Sequence, residues 1–163
     1  MWFERRQGTS AIGRMDIKSV AERSMNMSHI RGRNTSPEIF LRSQLFARGY
    51  RYLIHAENIP GKPDIYFTAK RVAIFVNGCY WHRHENCRFS YIPKSNMDFW
   101  KKKFAANVSR DKVTHDQLQK KQIRTLIVWE CTIKKMRRDK EYNDHIMEQI
   151  ERFLVNQESE LEF

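Results

Sequence analysis

Between Cys79 and Cys87 the chain sets two thiols, the imidazoles of His82 and His84, and the large aromatics Tyr80 and Trp81 within nine residues. A packed core has no use for that density of metal-seeking groups, whereas a metal or catalytic centre does. Zinc favours four thiolate or imidazole ligands in tetrahedral order, and Cys79, Cys87, Cys131 and one of the two histidines supply such a set. Four protein ligands would close the sphere, so the expected site is structural and leaves the second histidine for other work. Hydrolysis of a phosphodiester needs an activated water, a cation to offset charge building on phosphate, and a group to manage protons. Asp64 is a hard oxygen ligand suited to magnesium. A neutral histidine can take a proton from water, and Asp111 is a carboxylate that could orient its ring. Each group also has a plainer use: buried thiols and surface histidines, a turn-capping aspartate after Pro63, a solvated helix face around Asp111. Their concentration argues for the chemistry.

The elements that must position these groups can be read from the apolar pattern. Residues 72–76, Val-Ala-Ile-Phe-Val, form a buried-strand run that breaks at the turn dipeptide Asn77-Gly78. Residues 125–130 read as a second buried strand delivering Cys131. Asp64 opens a further strand over 65–67, and residues 68–71 turn the chain into 72–76, which brings the carboxylate toward Val76. Residues 50–54 make a plausible strand, and 58–63 a loop. Asn34-Thr35-Ser36-Pro37-Glu38 is a helix start, with Ser36 as cap, Pro37 in the first turn and Glu38 at the positive end; the helix runs to a cap at Gly49. For Glu38 alone, a first-turn acid serving the helix dipole is sufficient explanation. A long helix is expected over 97–122, where Trp100 and Phe104 recur at helical spacing, and a last amphipathic helix over 142–154. Residues 16–30 fit a helix loosely, either packed on the core or lying as a basic arm on a duplex. The architecture expected is α/β, a mixed sheet built from strands near residues 50, 64, 72 and 125 and flanked by helices.

A chain of 163 residues fits one domain, taken as 15–156 between a disordered leader, 1–14, and an acidic tail, 157–163. The formal charge of +11 marks a polyanionic partner. Nucleic acid is favoured over membrane because no apolar run approaches the ~20 residues of a spanning helix. Residues 1–6 lack the features of a secretory signal, so a cytoplasmic protein is expected. Three cysteines cannot all pair, which favours ligands or buried thiols over disulfides.

Taken in order, Ser24-Met25-Asn26-Met27, Thr35-Ser36-Pro37-Glu38, Pro60-Gly61-Lys62-Pro63-Asp64, the run from Phe75 to His82, Asp98-Phe99-Trp100, Asn107-Val108-Ser109-Arg110-Asp111 and Val128-Trp129-Glu130-Cys131 carry a resemblance. Over residues 21–133 the chain resembles the very-short-patch mismatch repair endonucleases, a branch of the restriction-endonuclease-like fold. The resemblance implies an enzyme that nicks one strand of double-stranded DNA beside a thymine–guanine mismatch, using magnesium, with a structural zinc nearby. It makes Asp64 the main magnesium ligand, with the backbone carbonyl of Val76 beside it. His82 becomes the general base, Asp111 its partner, and Glu38 a carboxylate that holds water. The zinc ligands become Cys79, His84, Cys87 and Cys131. Tyr80, Trp81 and Trp100 match aromatics wedged into the base stack, and Met27 matches an apolar side chain entering the minor groove. A mismatch lowers the cost of unstacking, so such a wedge selects deformable steps.

Two positions depart from the family pattern: Val76 stands where a threonine can occur, and Asn77 replaces a histidine of some members but can still hydrogen-bond phosphate. A monomer is expected, possible partners being other mismatch repair proteins. The competing readings are a site-specific restriction or mobile-element nuclease on the same scaffold, and a zinc-stabilised DNA-binding module without catalysis.

Overall fold

In a computed structural model the described residues are Met25, 32–156 and 158–163. The chain divides into two compact units, 1–31 and 32–163, and every described residue except Met25 belongs to the second. The leader, nearly all of the expected helix over 16–30, and Met27 lie outside the described residues.

Alternation along the strands decides the layers. Helix α1 (Ser36–Ala47) is followed by β1 (Ile65–Phe67) and β2 (Val72–Asn77). Helix α2 (Met97–Lys120) then leads into β3 (Arg124–Trp129), which passes without a loop into α3 (Glu130–Met136). Helix α4 (Lys140–Val155) and β4 (Glu160–Glu162) complete the chain. The sheet order is β1-β2-β3-β4, with β1 antiparallel to β2 and the other pairs parallel. On one face Val72, Ile74, Leu126 and Val128 pack with Leu41 and Leu45 of α1, Ile133 and Met136 of α3, and Ile146, Met147, Ile150, Phe153 and Leu154 of α4. Fully burying a side chain of this size contributes about 1.5–3 kcal/mol, so α4 is a main support of the sheet. On the other face Ala73 packs with Tyr66, Ile123 and Leu118 of α2, while Ile127 and Trp129 pack with Cys79. The fold is mixed α/β, as expected.

Two local expectations are corrected. Residues 50–54 form no strand; they make one bridge, Leu53 with Tyr66. Tyr50 and Tyr52 attach here through their rings, each edge-on to Phe67 at 5.9 Å, and a left-handed residue, His55 at φ 48°, then turns the chain away. The fourth strand is instead β4, within the segment read as an acidic tail, where Leu161 and the following Phe163 pack against the core. At the start of α1, Thr35 and not Ser36 holds the cap position, and it makes no side-chain bond to a helix amide. The hydroxyl of Ser36 accepts from Arg137 at 2.8 Å. The other end follows expectation: Gly49 has φ 87°, and the amides of Gly49 and Tyr50 bond to the carbonyls of Phe46 and Leu45 at 3.0 and 3.1 Å, the pairing of a left-handed glycine cap.

Candidate active site

Parallel β2 and β3 bring their carboxyl ends together, and antiparallel β1 begins beside them, so the groups at all three positions converge. Open α/β sheets bind their ligands at this edge. Asp64 immediately precedes β1, and its Oδ2 accepts the Val76 amide of β2 at 2.8 Å. The turn delivering it needs Gly61: φ is 75°, and a Cβ there would stand 2.4 Å from Thr114 Cγ2 and 3.0 Å from the Phe75 ring. Burial pushes Asp64 up to about 6; the Val76 amide opposes this, the Glu38 charge adds to it, and the charges of Arg42 and His82 pull back.

Glu38 does more than serve a helix dipole. It is buried, with 4 % of its surface exposed. Its oxygens accept from the Asn34 amide at 2.9 Å, the Thr35 hydroxyl at 2.6 Å and Arg42 Nη2 at 3.1 Å. Ligand atoms of Glu38, His55 and Asp64 all lie within 4.8 Å of one another. Two carboxylates in so confined a place favour a divalent cation, and their oxygens suit magnesium.

His82 lies in the loop after β2, where the amides of Trp81 and His82 both bond to the Gly78 carbonyl at 3.1 Å. Its Nδ1 stands 2.6 Å from Asp111 Oδ2 on α2. One helical turn earlier, Asn107 Nδ2 donates to the Trp81 carbonyl at 3.3 Å, so α2 fixes both the loop and the ring. About a third of each side chain, 32 % of His82 and 31 % of Asp111, remains open to solvent. The pair can meet a substrate.

The second histidine falls among the thiols. Ligand atoms of Cys79, His84, Cys87 and Cys131 lie within 4.8 Å of one another, with Cys131 Sγ 3.3 Å from His84 Nδ1. Donors around a tetrahedral zinc stand roughly 3.3–3.8 Å apart, so this set fits the ion. The His84 ring stacks on Trp129 at 4.2 Å and 6°, which holds it at the end of β3. Burial pushes the Cys79 thiol up to about 12 and raises Cys131 as well.

Beside this stands an aromatic cluster. Tyr80 meets Trp81 at 5.0 Å, Trp100 at 5.8 Å and buried Phe104 at 5.0 Å, all edge-on, while Trp81 and Trp100 are 6.1 Å apart. Lys103 Nζ lies over Trp81 at 5.3 Å and over Trp100 at 5.8 Å. Trp100, Lys103, Phe104, Asn107 and Asp111 recur at helical spacing and share one face of α2. Asn77 ends β2 opposite Trp129. Sequence reasoning missed His55, Arg42 and Lys103. His55 and Lys103 have no neighbour in sequence that marks them; for Arg42 the signal was Glu38, four residues before it.

The family model for the DNA mismatch endonuclease Vsr matches residues 15–88. The type II nicking enzyme V.XorIIP of Xanthomonas oryzae is 40% identical over 118 residues, covering 72% of this chain and 86% of that protein. The type II nicking enzyme V.NmeAIP of Neisseria meningitidis is 38% identical over 73% of this chain and 84% of its own length. The DNA mismatch endonuclease Vsr of Escherichia coli is 34% identical over 142 residues, 87% of this chain and 89% of its own length. Together with the two histidine sites at one sheet edge, matches of this extent establish that the chain belongs to the Vsr DNA mismatch endonuclease family.

Proposed function

We propose that this protein nicks one strand of duplex DNA beside a thymine–guanine mismatch by magnesium-dependent hydrolysis. The observation that carries the reading is the His82–Asp111 pair, 2.6 Å apart, at the sheet edge where Asp64, bonded to the Val76 amide, also stands. Relatives named as nicking enzymes and as a mismatch endonuclease support the strand specificity and the substrate.

Asp111 accepts the Nδ1 proton of His82 and leaves Nε2 as the free base, which takes a proton from the water attacking phosphorus. The Asp111 charge then stabilises the imidazolium. Asp64, its Oδ2 held by Val76, would hold magnesium together with the Val76 carbonyl, and Glu38 would hold water beside it. When bound, the ion offsets charge building on the phosphate oxygens. Cys79, His84, Cys87 and Cys131 hold a structural zinc that braces the loop carrying His82. Tyr80, Trp81 and Trp100 enter the base stack, and Asn77 hydrogen-bonds phosphate. The charge of +11 draws the duplex in.

The test is a strand-resolved nicking assay on otherwise identical duplexes. One labelled strand should be cut with a thymine–guanine pair and magnesium, and neither strand of the matched duplex. Cutting of both strands of matched DNA would favour a restriction-type nuclease, and binding without any cleavage a non-catalytic module. His82→Asn should lower the nicking rate about 10²–10⁴-fold, the usual share of a general base, with zinc content unchanged. A rate within threefold of wild type would remove His82 from the chemistry.

A further inference from the structure

Arg42 and His55 join the two carboxylates of the site from behind. Arg42 Nη2 bonds Glu38 at 3.1 Å and reaches His55 Nε2 at 3.2 Å, while its Nη1 donates to Asn34 Oδ1 at 2.7 Å. The imidazole then spans the gap: Nε2 is 4.0 Å from Glu38 Oε2 and Nδ1 is 3.9 Å from Asp64 Oδ1. A guanidinium can only donate, so the Nε2 it faces is the acceptor and the ring proton sits on Nδ1, turned toward Asp64. The backbone of His55 is held as well: φ is 48°, and its amide donates to the Pro63 carbonyl at 3.1 Å, one residue before Asp64.

The geometry points to His55 as a positioning residue that, set by Arg42, aims an N–H at Asp64 Oδ1 and so fixes the carboxylate for metal binding. Val76 restrains Oδ2 and His55 restrains Oδ1, directly after a small closure or through one water. Direct ligation is the competing arrangement, and the tautomer opposes it: Nδ1 carries the proton and Nε2 already faces a cation. The role parallels the partners that orient metal ligands elsewhere, whose loss costs 10–100-fold in affinity. The inference rests on the reading of Asp64 as the metal ligand.

The test uses Mn²⁺ as the probe, with binding to the zinc-loaded full chain followed by electron paramagnetic resonance in the absence of DNA. His55→Gly removes the ring without penalising the left-handed backbone, and His55→Asn keeps an N–H near the Nδ1 position. Expected are a 10–100-fold weaker Mn²⁺ affinity in His55→Gly, recovery to within about threefold in His55→Asn, and unchanged zinc content in both. Pulsed spectra of the wild-type Mn²⁺ complex should show no directly bound nitrogen, a measurement that stands even if His55→Gly fails to fold. A strong nitrogen coupling, or wild-type affinity in His55→Gly, would overturn the proposal. Asp64→Ala run in parallel separates the two failures: if it too binds Mn²⁺ normally, the metal-site reading falls first; if it alone loses the ion, only the role of His55 falls.

Discussion

Asp64→Asn should abolish nicking, by about 10³-fold or more, and at the same time make the magnesium-free protein harder to unfold at neutral pH. The first effect follows because losing the ligand forfeits several kcal/mol of charge stabilisation at the phosphate. The second follows from the carboxyl's own energetics. Burial holds Asp64 at about 6 in the folded chain against an ordinary value of 3.8. A native group raised in this way binds more protons than its unfolded counterpart between those two values, so stability falls as pH climbs through that window and stays low above it. Some of the side chain, 18 %, remains open to solvent, which screens the cost, so relief of about 1–2 kcal/mol is expected from the amide. Its oxygen can still accept from Val76. Urea titrations at pH 4 and pH 7.5 without magnesium decide the matter: the wild type should lose stability across the range relative to the variant. Parallel curves would mean that Asp64 is not held under strain. The same protonation competes with the ion, so the affinity for magnesium should fall as pH drops below about 6.

Cys131→Ser should take zinc from one ion per chain to none and lower stability by at least about 3 kcal/mol, a fraction of the roughly 10–16 kcal/mol with which structural sites bind zinc. The thiols explain why the site would depend so strongly on its ion. Burial raises Cys79 and Cys131, so both are neutral thiols until a metal displaces their protons. Zinc binding therefore releases protons, and affinity must fall with pH: a chelator should strip the ion far faster at pH 5.5 than at pH 8. Nicking should vanish in Cys131→Ser as well, since the loop from Cys79 to Cys87 carries His82. His84→Cys, which offers a fourth thiolate, should keep the metal. Elemental analysis and thermal unfolding of both variants supply the check, and a Cys131→Ser protein that melts like wild type would exclude a structural zinc.

Much of this was legible before any coordinates. Asp64 and Val76 could be brought together on paper because a short turn between two apolar runs admits only a hairpin, and β1 and β2 make one. The density of ligands from Cys79 to Cys87 signalled a site because thiols and imidazoles have so little reason to crowd together. What stayed hidden had no local signature. His55 gains its meaning from Arg42 and Asp64, neighbours only in space. Leu161 sits alone between two glutamates, too slight a pattern to announce a strand, and its pairing with Leu126 is decided by an edge left open by β3. Tyr50 and Tyr52 carry the alternation of a strand, yet their rings serve Phe67 while the backbone makes a single bridge.

The pairing of β4 has a practical side. The Trp129 amide donates to the Phe163 carbonyl at 2.8 Å, and the indole N–H is bonded to Glu162, so the closing residues clasp the same tryptophan on which His84 is stacked. Loosening this clasp, by Glu162→Ala for instance, would act one ring away from His84. The Glu162→Ala protein should then retain zinc less firmly than the wild type.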